Sequence, residues 1–188
     1  RAVAALRGAM RVAAVGLVLV AVLSGCASLS ETQCRAGDWY AIGERDGRNG
    51  HGPGRFDEHV KACAELGIAP DRTSWAAGRA DGLARYCTPR RGFEVGESGG
   101  FYAGVCGPET EPGFLRGYDI GRDLAESRAR LEDLERELRY LDQALADAER
   151  RQDVESARYV RSRIVELQYE RMRARARYDS AASRASRF

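Results

Sequence analysis

Cysteine is the most reactive residue type in this sequence of 188 residues, which contains five of them. A thiol can carry a lipid, form a disulfide or bind a metal, and its surroundings decide which of these it does. One cysteine, Cys26, directly follows an N-terminal apolar stretch. The other four are spread along the chain that follows, at Cys34, Cys63, Cys87 and Cys106. We therefore expect one chemistry for Cys26 and another for the remaining set.

The segment before Cys26, residues 1–25, has the composition of a secretory signal peptide. It contains three arginines, no acidic residue and the apolar run Val12–Leu23. As a helix this run would span ~18 Å, whereas the hydrocarbon core of a bilayer is ~30 Å thick. A permanent transmembrane helix is therefore disfavoured, and residues 1–25 are predicted to be a signal peptide that is removed.

The four residues Leu23-Ser24-Gly25-Cys26 match the lipobox of bacterial lipoproteins, which is apolar, small, small, cysteine. The match predicts that the Cys26 thiol takes a diacylglyceryl group. By this resemblance Cys26 would carry more than one fatty acyl chain, palmitate among them, which gives stable attachment to a membrane. Ala27 and Ser28 lack the aspartate of inner-membrane lipoproteins, which implies an outer-membrane anchor facing the periplasm. The alternative is an ordinary signal peptide followed by an incidental cysteine.

The four remaining cysteines are an even set in an exported chain, which favours disulfides. A metal site is the competing interpretation, but no pair has C-x-x-C spacing and the sequence has only two histidines, so neither a metal nor another cofactor is expected. Three connectivities are possible. If helices 38–49 and 57–66 pack antiparallel, Cys34 lies near Cys63. Cys87 and Cys106 would then close the glycine-rich loop between them.

Three segments share the pattern aromatic-x-x-Gly-x-x-x-Gly, starting at Tyr40, Trp75 and Phe114. In a helix this spacing puts the aromatic ring and both glycines on one face. Since a glycine inside a helix costs ~1 kcal/mol relative to alanine, the pattern predicts helices whose backbones touch. The alternative is a ligand surface made of the aromatic rings and the acids that recur in these segments, Asp46, Asp81 and Asp119.

The segments between these repeats are less regular. Phe56–Gly67 is predicted to be a short helix that ends at Gly67, and Asp71 or Thr73 is placed to cap the next one. Residues 88–113 are rich in glycine and proline, which predicts a loop. We expect that loop to contain a short strand pair at Phe93–Val95 and Phe101–Val105.

The cysteine frame and the glycine motifs together resemble a known family, the Gram-negative lipoproteins catalogued as domain of unknown function 2799. The similarity covers roughly residues 30–122. The resemblance implies an exported lipoprotein and supplies no activity or catalytic residue. It is carried by Cys34, Asp38-Trp39, Gly43, Asp46-Gly47, Cys63, Gly78-Arg79, Gly82-Leu83, Tyr86-Cys87, Gly96, Gly99, Tyr102 and Cys106.

From Leu124 onward the sequence contains neither glycine nor proline, and leucines recur at heptad spacing as far as Leu145. The apolar stripe then loses phase and restarts at Val160. Either the chain turns near Arg151–Asp153 into an antiparallel hairpin, or one long helix slips register. The similar lengths of the two arms favour the hairpin, whereas the lack of a turn-forming glycine opposes it.

The predicted fold is mainly α, a small disulfide-stapled helical domain followed by a long coiled-coil or hairpin tail. The expected organisation is a signal peptide over 1–25, a lipid-anchored linker over 26–33, the cysteine- and glycine-rich domain over 34–122, the coiled coil over 123–183, and a disordered end over 184–188.

The end of the tail is basic, with arginines at Arg171, Arg173, Arg175 and Arg177. They either keep a solvated end soluble or contact an anionic surface such as lipid or lipopolysaccharide phosphates or cell-wall carboxylates. Removal of residues 1–25 lowers the formal net charge from +2 to −1. A balanced charge and predicted export do not favour nucleic acid as a partner.

Two classes of function follow from these features. The first is a lipid-anchored envelope protein of structural or interaction type, not an enzyme, whose residues 123–183 pair with an envelope protein or with a second copy. The second is a glycan-binding module or a small cell-wall hydrolase that uses Glu94 and Glu97, since paired carboxylates can cleave glycosides. Nucleophilic catalysis is not favoured, because the cysteines are assigned to lipid and disulfides and the sequence has only two histidines.

Overall fold

The computed structural model describes residues 27–188, so the predicted signal peptide and the acylation of Cys26 lie outside the described residues. Every regular element in this range is a helix, which confirms the mainly α prediction. The helices are α1 Glu31–Ala36, α2 Trp39–Arg48, α3 Arg55–Ala64, α4 Arg72–Tyr86, α5 Pro89–Glu97, α6 Glu111–Arg150 and α7 Val154–Ala185. Between Ala27 and Phe188, no helix is both long enough and apolar enough to cross a membrane.

Helices α2 and α4 form the first glycine-packed pair. Each begins at an aspartate that accepts hydrogen bonds from free backbone N–H groups of the first turn, Asp38 in α2 and Asp71 in α4. A Cβ atom added at Gly43 would overlap the carbonyl oxygen of Trp75, and one added at Gly78 would overlap that of Tyr40. The two backbones therefore touch, which confirms the close packing predicted from the repeated pattern.

Helices α5 and α6 form a second pair of the same kind. A Cβ at Gly92 would overlap the carbonyl oxygen of Phe114, and one at Gly117 would overlap that of Pro89. The loop predicted for residues 88–113 is therefore wrong for 89–97, which form α5. The strand pair predicted at Phe93–Val95 and Phe101–Val105 is wrong as well, because residues 27–188 contain no strand. Its glycines indicate a contact between helices instead of a loop. Thr88 caps the helix, and a proline occupies its first turn.

The two disulfides are Cys34–Cys63 and Cys87–Cys106. This is the connectivity favoured from the sequence, which is thereby confirmed. The packing assumed for it is wrong, however, because α2 packs closely on α4 and Cys34 lies on the separate helix α1. The first disulfide joins α1 to α3, and the second joins the end of α4 to the loop that follows α5.

The predicted linker over residues 26–33 is wrong for its described part. Leu29 is only 3% exposed and belongs to the same apolar cluster as Trp39, Phe56 and Trp75. Ser30 caps α1, which begins at the next residue. The chain is therefore fixed in the domain core within three residues of Cys26.

The tail is an antiparallel hairpin of α6 and α7. Its apolar core contains Leu131, Leu134, Leu138, Val160, Ile164 and Leu167. The turn at residues 151–153 uses Gln152 in the left-handed conformation, with φ of 58°, where a glycine is usual. Asp153 then caps α7 by accepting a hydrogen bond from the N–H of Ser156. The predicted boundary between residues 122 and 123 falls inside α6, a single helix of 40 residues that joins the domain to the hairpin.

Residues 184–188, predicted to be a disordered end, lie against the domain in the structure. Helix α7 continues to Ala185, and the ring of Phe188 stacks on Phe93 of α5 with centroids 5.3 Å apart. Arg184 also reaches Asp123 at 3.2 Å. The hairpin thereby returns to the α5–α6 pair from which it starts.

Candidate functional site

A buried polar cluster lies where α2, α3 and α4 meet. Asp46 of α2 is 2% exposed, and its Oδ2 atom accepts a hydrogen bond from His59 Nε2 at 2.7 Å and one from Trp75 Nε1 at 2.8 Å. His59 is fully buried, and its other nitrogen, Nδ1, lies 2.7 Å from the hydroxyl of Ser28. When the imidazole is neutral with its proton on Nε2, Ser28 donates to Nδ1, so both ring nitrogens of His59 have hydrogen-bond partners.

The environment of Asp46 keeps its carboxylate charged. Burial acts to raise the pKa of Asp46, but the hydrogen bonds from His59 and Trp75 outweigh it and hold the pKa below its ordinary value. Arg55 adds positive charge, since its guanidinium Nε lies 3.9 Å from Oδ1 of Asp46. Without these partners, a buried carboxylate would be strongly destabilising.

Ser28, His59 and Asp46 are the three residue types that many hydrolases use for nucleophilic attack. Here, however, the imidazole is fully buried, and Asp46 is shared with the indole of Trp75. The geometry suits a structural link that joins the first described residues to α2, α3 and α4. It does not present an exposed general base to a substrate.

Analysis of the sequence did not find this cluster. It placed Asp46 among the repeated acids of a possible ligand surface and gave His59 no partner. The structure buries Asp46, whereas Asp81 is exposed and accepts a hydrogen bond from Tyr40, and Asp119 is exposed on α6. The one available signal was that Asp46 and Trp75 both belong to the glycine-repeat segments, which pack together.

The carboxylates considered for a hydrolase, Glu94 and Glu97, both lie on α5 and face arginines. Glu94 accepts hydrogen bonds from Arg90 and Arg91, and the hydrogen bond from Arg91 contributes most to lowering its pKa. Glu97 accepts one from Arg128 of α6 at 3.2 Å. A glycosidase acid needs a raised pKa, so the pKa of Glu94 is shifted in the direction opposite to that role.

The four arginines considered for anionic surfaces, Arg171, Arg173, Arg175 and Arg177, are all exposed on α7. Arg175 hydrogen-bonds Asp179 at 3.1 Å, and Arg173 lies over the ring of Tyr169. Arg173 and Arg177 also line a groove of about 860 Å³ between α6 and α7. Acidic side chains share this groove, so its charge is mixed.

Residues 27–188 contain no group of three or more histidine, cysteine, aspartate or glutamate side chains that could hold a metal ion. The polar cluster around Asp46 and the two disulfides are thus the chemically distinctive features of the described domain.

The fold defines a class of protein: a disulfide-linked helical domain of two glycine-packed helix pairs, continued by a helical hairpin. Residues 38–123 match the model of the family described as protein of unknown function (DUF2799), so this segment carries the domain of unknown function 2799. The match ends inside α6 and leaves out most of the hairpin. Neither the curated proteins nor the solved structures include a significant match to this chain.

Proposed function

We propose that this protein is a lipid-anchored component of a bacterial cell envelope, with a structural or protein-interaction role. Cys26 is acylated and holds the domain on the outer membrane, facing the periplasm. Two disulfides suit an oxidising compartment, and the lipobox-like segment at residues 23–26 supplies the anchor.

The observation that carries the proposal is the attachment of Ser28 and Leu29 to the domain core. Ser28 contacts buried His59, and Leu29 packs in the apolar cluster around Trp39 and Trp75. A lipid on Cys26 would therefore hold the domain directly at the membrane surface, with no flexible linker to let it tumble. This favours a protein that presents a fixed surface to its neighbours.

The hairpin supports the interaction part of this role. Beyond residue 123, α6 continues for 27 residues, about 40 Å at 1.5 Å per residue, and α7 returns along it. The alternative role, a glycan-binding module or hydrolase that uses Glu94 and Glu97, gains no support from the ion pairs that hold both carboxylates.

The anchor is tested by intact mass measurement and membrane fractionation of the full chain and a Cys26→Ser variant. We expect the mature protein made from the full chain to lack residues 1–25, to carry fatty acyl mass and to separate with outer membranes on a density gradient. The variant should lose the acyl mass and leave the membrane fraction. An uncleaved N-terminus, or a mature chain without acyl mass, would contradict the proposal.

The choice between interaction and hydrolysis is tested with two variants of the full chain. Glu94→Gln combined with Glu97→Gln should leave partner capture in a cross-linking pull-down unchanged, whereas deletion of residues 123–188 should abolish it. Release of soluble fragments from purified cell wall by the full chain, lost in the double glutamine variant, would favour the hydrolase instead.

A further inference from the structure

The outer face of α7 carries an apolar stripe. Val165, Tyr169 and Met172 are 65%, 58% and 61% exposed, and Ala176 continues the line on the same face. Their spacing of four, three and four residues keeps them within about 60° of one another around a helix of 3.6 residues per turn. It is also the spacing of the apolar positions in a coiled coil.

The hairpin does not explain this stripe. The inner face of α7 presents Val160, Ile164 and Leu167, which pack on leucines of α6. The stripe points away from that contact, so its side chains meet solvent in a single chain. Three large apolar side chains at coiled-coil spacing on a solvated helix indicate a surface that another helix covers.

The charged neighbours of the stripe indicate which helix covers it. Suppose that two copies of α7 cross antiparallel, with Val165 of one copy facing Ala176 of the other and Tyr169 facing Met172. Glu166 and Arg173 border the same side of the stripe. This register therefore brings Glu166 of each copy beside Arg173 of the other, which gives two ion pairs by symmetry.

The ends of the stripe also favour the antiparallel direction. Arg158 and Asp179 continue the line beyond its apolar part and are exposed. A parallel pair in register would place each of them against its own counterpart, which brings like charges together. In the antiparallel register, Arg158 faces Ser183 and Asp179 faces Ser162, so neither residue faces its own counterpart.

We propose that the partner of this surface is a second copy of the chain, bound antiparallel through Val165, Tyr169, Met172 and Ala176 of α7. The pairing rests on the interaction role in the proposed function, whereas it does not use the lipid at Cys26. An apolar seam of four residues is short, so we expect weak association that a high local concentration strengthens.

The test is site-directed cross-linking of full-length chains in lysates that retain their membranes, so that it works wherever the protein resides. A Val165→Cys chain and an Ala176→Cys chain, with different tags, are expressed together and treated with a short bismaleimide. We expect a mixed dimer that greatly exceeds the background of the unsubstituted chain. The matched control pairs Tyr140→Cys with Tyr159→Cys, two exposed positions off the stripe, and should stay at background.

A charge exchange tests the register. Glu166→Arg alone, or Arg173→Glu alone, should lower the mixed-dimer yield by about five-fold, since two pairs are lost at once, and the two changes together should restore it. Circular dichroism checks that each variant keeps its helix content.

Three results would overturn the proposal. They are a mixed dimer no stronger than the control pair, an Ala176→Cys chain that links to itself as well as to its Val165→Cys partner, and a failure of the double exchange to restore the yield. If a different protein covered the stripe, the mixed dimer would be no stronger than the control pair. A failed lipid anchor would change the mass at Cys26 and the fractionation, whereas the mixed dimer would still exceed the control pair.

Discussion

The carboxylate of Asp46 and the imidazole of His59 lie 2.7 Å apart, and both are closed off from solvent. This contact joins α2 to α3, which carries Cys63 of the first disulfide. Through Ser28, it also connects the core to the residues that follow Cys26. The polar cluster and the first disulfide thus act on the same part of the fold, the part nearest the proposed lipid anchor.

Removal of the Asp46 side chain should strongly destabilise the domain. Asp46→Ala leaves the N–H groups of His59 and Trp75 buried without an acceptor, and we expect a loss of about 3 kcal/mol in the free energy of unfolding. Urea denaturation of the full chain measures it. The control is Asp119→Ala, which removes an exposed aspartate of α6 and should cost about 0.5 kcal/mol or less. Equal losses would show that the buried hydrogen bonds contribute little.

The contribution of Asp46 should depend on pH. Its pKa in the fold is lowered, whereas in the unfolded chain it should have the ordinary value of about 3.9. A carboxyl with a lowered pKa stabilises the fold fully above the unfolded value and loses this contribution as the pH falls through the folded value. The difference in unfolding free energy between the native chain and Asp46→Asn should therefore be smaller below about pH 4 than at about pH 5. A difference that grows as the pH falls from about 5 to below about 4 would contradict this.

The glycine contacts should tolerate no side chain. Gly43→Ala would drive its methyl group into the carbonyl of Trp75, which is backbone and cannot rotate away. We expect a loss of about 3 kcal/mol, at the upper end of overpacking effects, together with a lower melting temperature. Gly54→Ala is the matched control, because Gly54 has a helical conformation and open space around its Cα atom. It should be neutral or slightly stabilising, by up to about 1 kcal/mol.

The hairpin turn offers a stabilising substitution. Gln152 has a φ of 58°, which costs a residue with a side chain about 1 kcal/mol relative to glycine. Gln152→Gly should therefore raise the melting temperature of the full chain by a few degrees. The neighbouring change Arg151→Gly, at a φ of −82°, should lower it. If both substitutions shifted the melting temperature in the same direction, the left-handed conformation of Gln152 would not explain the shift.

The sequence by itself determined the features that follow from the spacing of residues along a helix and from the number of cysteines. Seven-residue spacing of leucines predicted the apolar face of α6, and an even set of four cysteines predicted two disulfides, whose pairing was favoured from a helix packing that the fold does not have. The aromatic and glycine repeats predicted close helix packing. These features lie within a few helical turns or follow from residue type, so a linear pattern is enough to reveal them.

Only the tertiary structure decided which distant residues meet. Glycine and proline in 89–97 predicted a loop, because their intrinsic helix propensity is low; contact with α6 offsets that cost and makes α5 a helix. Asp46, His59 and Trp75 come from three helices, and Phe93 meets the last residue of the chain. Such contacts depend on the path of the whole backbone, which no local pattern of residue types encodes.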